Sequence, residues 1–332
     1  GTQTNPIIFQ KSGAGANPVI TAGTGTGSLD GIIVIAGGDY ITFDGINISD
    51  NPANIDDITR MEWGYALLKK NSTAPIDGCY VVSIKNSTIT LNKSNTATWG
   101  IYGANHTASS STGLTLTDTL DVMSYCKFDN NTIDAYNGIR IISSSTTAYF
   151  GKGNEIGVIA GNYILAYGNG STTAYGMNIE YQNNLKIAQN SVNGGGASHT
   201  GLLYGIRTGS GTNSNVDIYN NSVTVTQGGT SLIYAIVNSM GSSGVDNRIN
   251  IYNNTVENCL YSGSSSNSFW MIYNLASAYN VNIYGNRCRN NVKAAGSGPM
   301  HCIYNSPTTA SLNTYIYNNK IYNNSSAGPI NG

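Results

Sequence analysis

The sequence predicts an all-β chain wound as a right-handed parallel β-helix of about ten coils, and three observations carry that expectation. A short motif recurs roughly once per 31 residues, a second motif keeps step with it, and no stretch carries a sustained apolar stripe of helical period.

The first motif is a β-branched or aromatic residue, a variable residue, a polar pair rich in Asn, another variable residue, and then Ile or Val. It reads Ile84-Lys-Asn-Ser-Thr-Ile89, Phe128-Asp-Asn-Asn-Thr-Ile133, Ile159-Ala-Gly-Asn-Tyr-Ile164 and Ile187-Ala-Gln-Asn-Ser-Val192 in the first half. The second half continues with Ile218-Tyr-Asn-Asn-Ser-Val223, Ile251-Tyr-Asn-Asn-Thr-Val256, Ile283-Tyr-Gly-Asn-Arg-Cys288 and Ile316-Tyr-Asn-Asn-Lys-Ile321. Its second polar position is Asn131, Asn162, Asn190, Asn221, Asn254, Asn286 and Asn319, at spacings of 31, 28, 31, 33, 32 and 33 residues. Such a spacing is one solenoid turn.

Between these lies the second motif, at Trp99-Gly100-Ile101, Asn137-Gly138-Ile139, Tyr175-Gly176-Met177, Tyr204-Gly205-Ile206, Tyr234-Ala235-Ile236 and Tyr273-Asn274-Leu275. Inside each match the residues alternate with period two, as in Val216-Asp-Ile218-Tyr, so the segments are expected to be strands with one buried face. Several short strands per turn, separated by Gly, Asn and Ser corners, suit a three-sheet solenoid.

The Asn column is expected at a corner. Asn tolerates the left-handed backbone of a tight turn, and its amide can both donate and accept when stacked from coil to coil. With about 4.8 Å per coil, ten coils make a rod roughly 50 Å long.

Composition excludes several function classes. Only 10% of the 332 residues are Asp, Glu, Lys or Arg, so solubility rests on Asn, Ser and Thr. The 16 basic and 17 acidic residues nearly cancel, which leaves no footprint for a phosphate backbone or an anionic membrane; nucleic acid is not an expected partner. Gly31-Ile-Ile-Val-Ile-Ala36 is the longest apolar run and is far too short for a membrane span, which needs about 20 residues. The chain opens at Gly1 without Met or a basic-then-apolar leader, so targeting information is expected outside this segment.

Parallel β-helices can host polysaccharide lyases and glycoside hydrolases, which need clustered carboxylates or a calcium site beside an Arg. The acidic residues here are scattered: Asp44, Asp129, Asp134, Glu155 and Glu180 fall in different columns or distant coils, and the Asp56-Asp57 pair lies in a loop. Arg140, Glu180 and Arg207 form the best candidate cluster for a glycan-cleaving site, because they point outward from adjacent coils. The chain is nevertheless read as non-catalytic, with no cofactor and no metal.

Cys126 shares the column of Val216, Ile249 and Val281, and Cys288 that of Val223, Val256 and Ile321, so both are expected to be small buried hydrophobes. Cys302 falls in the column of Met271, and a Cys259–Cys288 bridge is the alternative to free thiols. No C-x-x-C spacing exists, and His106, His199 and His301 lie in different coils, so a metal site is not expected.

Tyrosines mark the candidate binding surface. In the second-half motifs the Ile faces inward, so Tyr219, Tyr252, Tyr284 and Tyr317, spaced 33, 32 and 33 residues apart, should point outward as a stacked ladder about 15 Å long. Such a ladder stabilises a sheet surface and can also serve as a strip for sugar rings or a protein partner. The other column, Tyr175, Tyr204, Tyr234, Tyr273 and Tyr304, shares parity with Met177, Ile206, Ile236 and Leu275 and is expected to be largely core.

Asn5-Pro-Ile-Ile-Phe-Gln-Lys-Ser-Gly-Ala-Gly-Ala-Asn-Pro-Val-Ile-Thr-Ala22, followed by Asp39-Tyr-Ile-Thr-Phe-Asp-Gly-Ile-Asn-Ile48, resembles the β-helix regions of very large cell-surface proteins of Bacteroidetes. Those proteins look like adhesins and filament components exported by type IX secretion. The resemblance is specific over about the first 60 residues. It implies a secreted, extracellular, structural or adhesive segment. The alternatives, from the residues and the fold, are a carbohydrate-binding solenoid using the exposed Tyr ladder and a pectate-lyase-like or tailspike-like glycan-cleaving enzyme. Gly328-Pro-Ile-Asn-Gly332 lines up with Gly298-Pro-Met-His-Cys302, so residues 1–332 are expected to be a single β-helix, uncapped at both ends, within a longer polypeptide. Its expected partners are further β-helix segments of the same or neighbouring subunits, together with surface glycans.

Overall fold

A computed structural model describes residues 1–145, 148–307, 309 and 311–332, and in it the chain winds repeatedly through three parallel sheets. Sheet 1 runs from Ile7–Gln10 to Asn313–Tyr317, sheet 2 from Val19–Thr21 to Lys320–Tyr322, and sheet 3 from Gly31–Ala36 to Ile330–Asn331. Sheets 1 and 3 each have ten strands, one per coil, and neighbours are one coil apart in sequence. The described residues contain one 3₁₀ turn, Thr119–Asp121, and no α-helix.

Alternation sets the inside. In Val216–Tyr219, Val216 and Ile218 are buried while Asp217 and Tyr219 are half-exposed. Stacked in register, the inward residues form continuous columns: Ile84, Phe128, Ile156, Ile187, Ile218, Ile251 and Ile283 in sheet 1. Sheet 2 contributes Ile89, Ile133, Ile164, Val192, Val223, Val256 and Cys288. Sheet 3 contributes Tyr65, Ile101, Ile139, Met177, Ile206, Ile236 and Ile272. They belong to one core running from Ala22 to Cys302. Each fully buried side chain of this kind contributes about 1.5–3 kcal/mol, so every coil adds its own increment and the rod lengthens without needing a wider core.

The Asn column is buried and hydrogen-bonded from coil to coil. From Asn131 to Asn286, each Nδ2 donates to the Oδ1 of the next column member at 2.9–3.0 Å. The same oxygen also accepts from the backbone N–H of that same donor asparagine, one coil earlier, at 3.0–3.1 Å. The second amide hydrogen reaches a sheet 1 carbonyl, as from Asn221 to Ile187 at 2.9 Å.

One expectation needs correction here: the left-handed turn belongs to the residue before the ladder. Asn130, Gln189, Asn220, Asn253 and Asn318 have φ between 52° and 60°, and Gly285 has 66°, whereas the ladder asparagines have no positive φ. Two adjacent polar residues divide the work, one for the turn and one for the interior.

A second correction concerns Ile159. Phe128 pairs with Ile156, and Ile159 is exposed on a longer corner that turns at Gly157, φ 74°. The insertion shifts the start of the motif while leaving Asn162 in its column.

Sheet 3 breaks strict alternation. In Ala174–Glu180, Gly176 and Met177 are both buried and Tyr175 lies outside. A Cβ on Gly176 would sit 2.5 Å from the Val192 methyl and 2.6 Å from the Gly205 carbonyl oxygen, which explains the recurring Gly of the second motif. This kink reverses parity. Tyr175, Tyr204 and Tyr234 are therefore half-buried on the outer face rather than core, and Tyr304 is exposed. Tyr234 pairs with Trp270, so Trp270-Met271-Ile272 occupies the place expected for Tyr273-Asn274-Leu275; Tyr273 is half-buried one column further on.

Candidate functional site

The sheet 1 tyrosines form the expected ladder. Tyr219, Tyr252, Tyr284 and Tyr317 pair in register, with ring centroids 4.9, 4.9 and 5.0 Å apart and planes within 3°. At that separation each inner ring face is covered by its neighbour, so the strip presents ring edges and hydroxyls. Tyr317, 47% exposed, has its outer face open. Burial, followed by the neighbouring phenol of Tyr219, pushes Tyr252 up to about 12.

Beside the ladder runs a polar column. Lys127 and Lys186 flank Glu155 at 3.2 and 2.9 Å. Asp217 then accepts from Asn250 at 2.7 Å, and Asn250 accepts from Asn282 at 2.9 Å. Burial raises the Glu155 carboxyl, but the two lysines outweigh it and hold the group below its usual range.

The outer face of sheet 3 carries a longer, mostly aromatic column, of which parity reasoning placed Tyr175, Tyr204 and Tyr234 inside. Trp63, Trp99, Asn137, Tyr175, Tyr204, Tyr234, Trp270 and His301 follow one another along it. Tyr175 and Tyr204 stack at 5.0 Å, Tyr204 and Tyr234 at 5.1 Å, and Trp270 and His301 at 4.0 Å. Trp63, Ala66, Leu68 and Ala104 form a small separate core on this face, packed against Leu29, Trp99 and Tyr102.

Three positions further along each strand, Tyr102, Arg140, Asn178 and Arg207 occupy four consecutive coils. Arg207 forms an ion pair with Glu180 and bonds to Asn178 Oδ1. The Arg140 guanidinium lies over the Tyr102 ring, 4.7 Å from its centroid, and donates to Gly103 O at 3.2 Å. Desolvation lowers its pKa. The structure thus brings together Arg140, Glu180 and Arg207, with a single carboxylate among them.

The remaining acidic residues stay apart. Asp44 pairs with Lys85 at 3.1 Å, Asp134 with Lys93, and Asp57 with Arg60 at 2.9 Å; Asp129 accepts from the Ile159 backbone N–H at 3.0 Å, and Asp56 from that of Thr59. Among the described residues no three His, Cys, Asp or Glu side chains are grouped to hold a metal.

All five cysteines are buried and unbridged. Cys126 and Cys288 fall in their expected apolar columns, and Cys302 stands opposite Met271. Burial pushes Cys79 up to about 11 and Cys259 up to about 12, so these thiols are poor nucleophiles. The histidines sit in separate places: His106 bonds to the Tyr102 hydroxyl at 2.9 Å, His199 accepts from the Asn169 and Gly170 backbone, and His301 lies on Trp270.

Sequence reasoning missed two buried lysines and three further polar ladders. Lys69 Nζ donates to the carbonyls of Ser143, at 2.9 Å, and Asp121; desolvation lowers its pKa to about 8. Lys293 donates to Ala295 O at 2.7 Å beneath the Tyr261 ring. Thr208, Asn238, Asn274 and Asn305 form a ladder with links of 2.6, 2.8 and 2.7 Å. Asn154 with Gln182, and Asn291 with Asn324, form two shorter ones.

No protein-family model matches the chain, and no curated protein matches it. Among solved structures it is similar to a GH136 lacto-N-biosidase from Eubacterium ramulus, a selenomethionine derivative, at 12% identity and a TM-score of 0.41; the alignment covers 97% of this chain and 58% of that one.

Proposed function

We propose that this chain is a structural and adhesive segment of a secreted cell-surface filament or stalk, built to be continued by further β-helix. What supports the reading is that the buried Asn ladder and the stacked tyrosines repeat from coil to coil along the rod, so the architecture extends by adding like coils. Asn319 and Asn324 are the last members of two amide ladders within residues 1–332. Beside them Ile316, Tyr317 and Ile321 are exposed, although their counterparts one coil earlier, Ile283, Tyr284 and Cys288, are buried or half-buried. Phe9 and Ile20 are likewise exposed in the first coil. A coil of the same kind, from this polypeptide or an adjacent subunit, would cover those side chains and take up the open hydrogen bonds.

The extracellular location is part of this proposal and rests on the resemblance of the first residues to surface proteins of type IX-secreting bacteria. The Tyr219–Tyr317 strip offers edges and hydroxyls for lateral contact with a neighbouring subunit. Protease treatment of intact cells tests the location and the role together. The segment should be digested without lysis, and cells lacking it should lose surface attachment. Protection until lysis, or unchanged attachment, would overturn the reading.

A further inference from the structure

The rod reading leaves the half-buried guanidinium of Arg140 without a use. It is held on a rigid strand, with the Tyr102 ring on one side and Gly103 O as its hydrogen-bond acceptor. Glu180, the carboxylate of this face, is committed to Arg207. Arg140, Glu180 and Arg207 together carry one net positive charge, and Arg140 makes no ion pair among the described residues. One coil on, Asn178 is buried, and its Oδ1 is taken by Arg207. Its Nδ2 makes no hydrogen bond among the described residues and is left as a donor. Arg140 and Asn178 are in register on adjacent strands, about 4.8 Å apart.

We infer that this part of sheet 3 binds a carboxylated glycan, a linear uronate chain lying along the rod axis, with a sugar carboxylate on Arg140. Arg is suited to the task because its planar fork donates two parallel hydrogen bonds to a carboxylate, and the partly desolvated position strengthens both. The Asn178 amide and the Arg207–Glu180 pair supply donors and acceptors for ring hydroxyls in the next two coils. These groups follow one another on successive coils along the axis, which suits a polymer better than a single small acid. An acidic peptide is less well served: backbone groups of the strands are already used in sheet pairing, so the face offers no main-chain recognition. This site is independent of the open ends and of the Tyr219–Tyr317 strip.

Titration calorimetry of the full chain with linear oligogalacturonate, a neutral malto-oligosaccharide of equal length and oligoglutamate tests the inference. The uronate should bind, more weakly as salt rises, and the other two at least tenfold more weakly. Arg140→Gln should cost tenfold or more in uronate affinity with an unchanged melting temperature. Arg140→Lys, which keeps charge and stem but loses the fork, should lie between, and it decides the matter if Arg140→Gln does not fold. Absence of uronate binding would overturn the proposal. So would native affinity in the Lys or Gln variant, or binding of oligoglutamate or the neutral sugar as tight as that of the uronate.

Discussion

Asn254 gives both its backbone N–H and its side-chain N–H to one atom, the Oδ1 of Asn286, at 3.0 Å each. The remaining Asn254 amide hydrogen goes to Ile218 O at 2.9 Å. The side chain therefore ties three coils together inside the rod. Leu has the bulk but neither donor nor acceptor, so Asn254→Leu or Asn221→Leu should lower stability by about 1–3 kcal/mol, the usual cost of unpairing buried polar groups. Chemical denaturation measures it. An unchanged midpoint in both variants would remove the ladder from the account.

The neighbouring position should behave differently. Asn253 carries the left-handed turn at φ 53° and is half-exposed or more, so Asn253→Gly should be tolerated. Asn253→Val should cost about 1–2 kcal/mol, because a branched Cβ clashes in that conformation. Asn254→Gly, by contrast, should be as damaging as Asn254→Leu. Melting curves of the three variants separate the two roles.

Gly176→Ala should destabilise by about 1–3 kcal/mol through overpacking, since the added methyl meets the Val192 side chain and the Gly205 carbonyl. If the variant melts like the native chain, the kink that turns Tyr175 outward is not fixed by this glycine.

Lys69 makes stability depend on alkaline pH. Its folded pKa is lowered to about 8 by desolvation, below the unfolded value of about 10.4. Below pH 8 both states hold the proton and the burial cost is present in full. Between about 8 and 10.4 the unfolded chain binds more protons, so this contribution to stability rises with pH. Lys69→Met should abolish that rise. Tyr252 acts with the opposite sign: with its folded pKa raised to about 12, stability should fall as pH climbs from about 10 towards 12. The difference in denaturation midpoint between native and Lys69→Met chains from pH 7 to 11 isolates the lysine contribution, because the opposing fall from Tyr252 and from the buried thiols of Cys79 and Cys259 is common to both.

How much was legible follows from how locally each feature is written. The Asn column is visible because one residue type recurs at nearly constant spacing and must do so to stack. The Tyr219 ladder is visible because sheet 1 keeps strict alternation there. Tyr175 was misplaced because period-two reasoning has no means of seeing that Gly176 and Met177 both turn inward; the recurring glycine was the available signal. Ile159 was misplaced because an inserted corner preserved the motif's outline. The ladder from Thr208 to Asn305 was hidden by unequal steps of 30, 36 and 31 residues and a change of residue type. Lys69 could not be foreseen: its acceptors are backbone carbonyls 52 and 74 residues away, and carbonyls leave no mark in sequence.

The proposal that the rod is extended by further coils of the same kind is tested most directly by light scattering against concentration. Two proteins are compared: residues 1–332, and the same chain with the exposed Ile316, Tyr317, Ile321 and Ile330 of the last coil replaced by Lys and Glu as a polar cap. The account predicts that the native chain grows in mass with concentration by end-to-end association, while the capped chain stays at the mass of one chain. A native chain that remains monomeric at high concentration without any cap would contradict it.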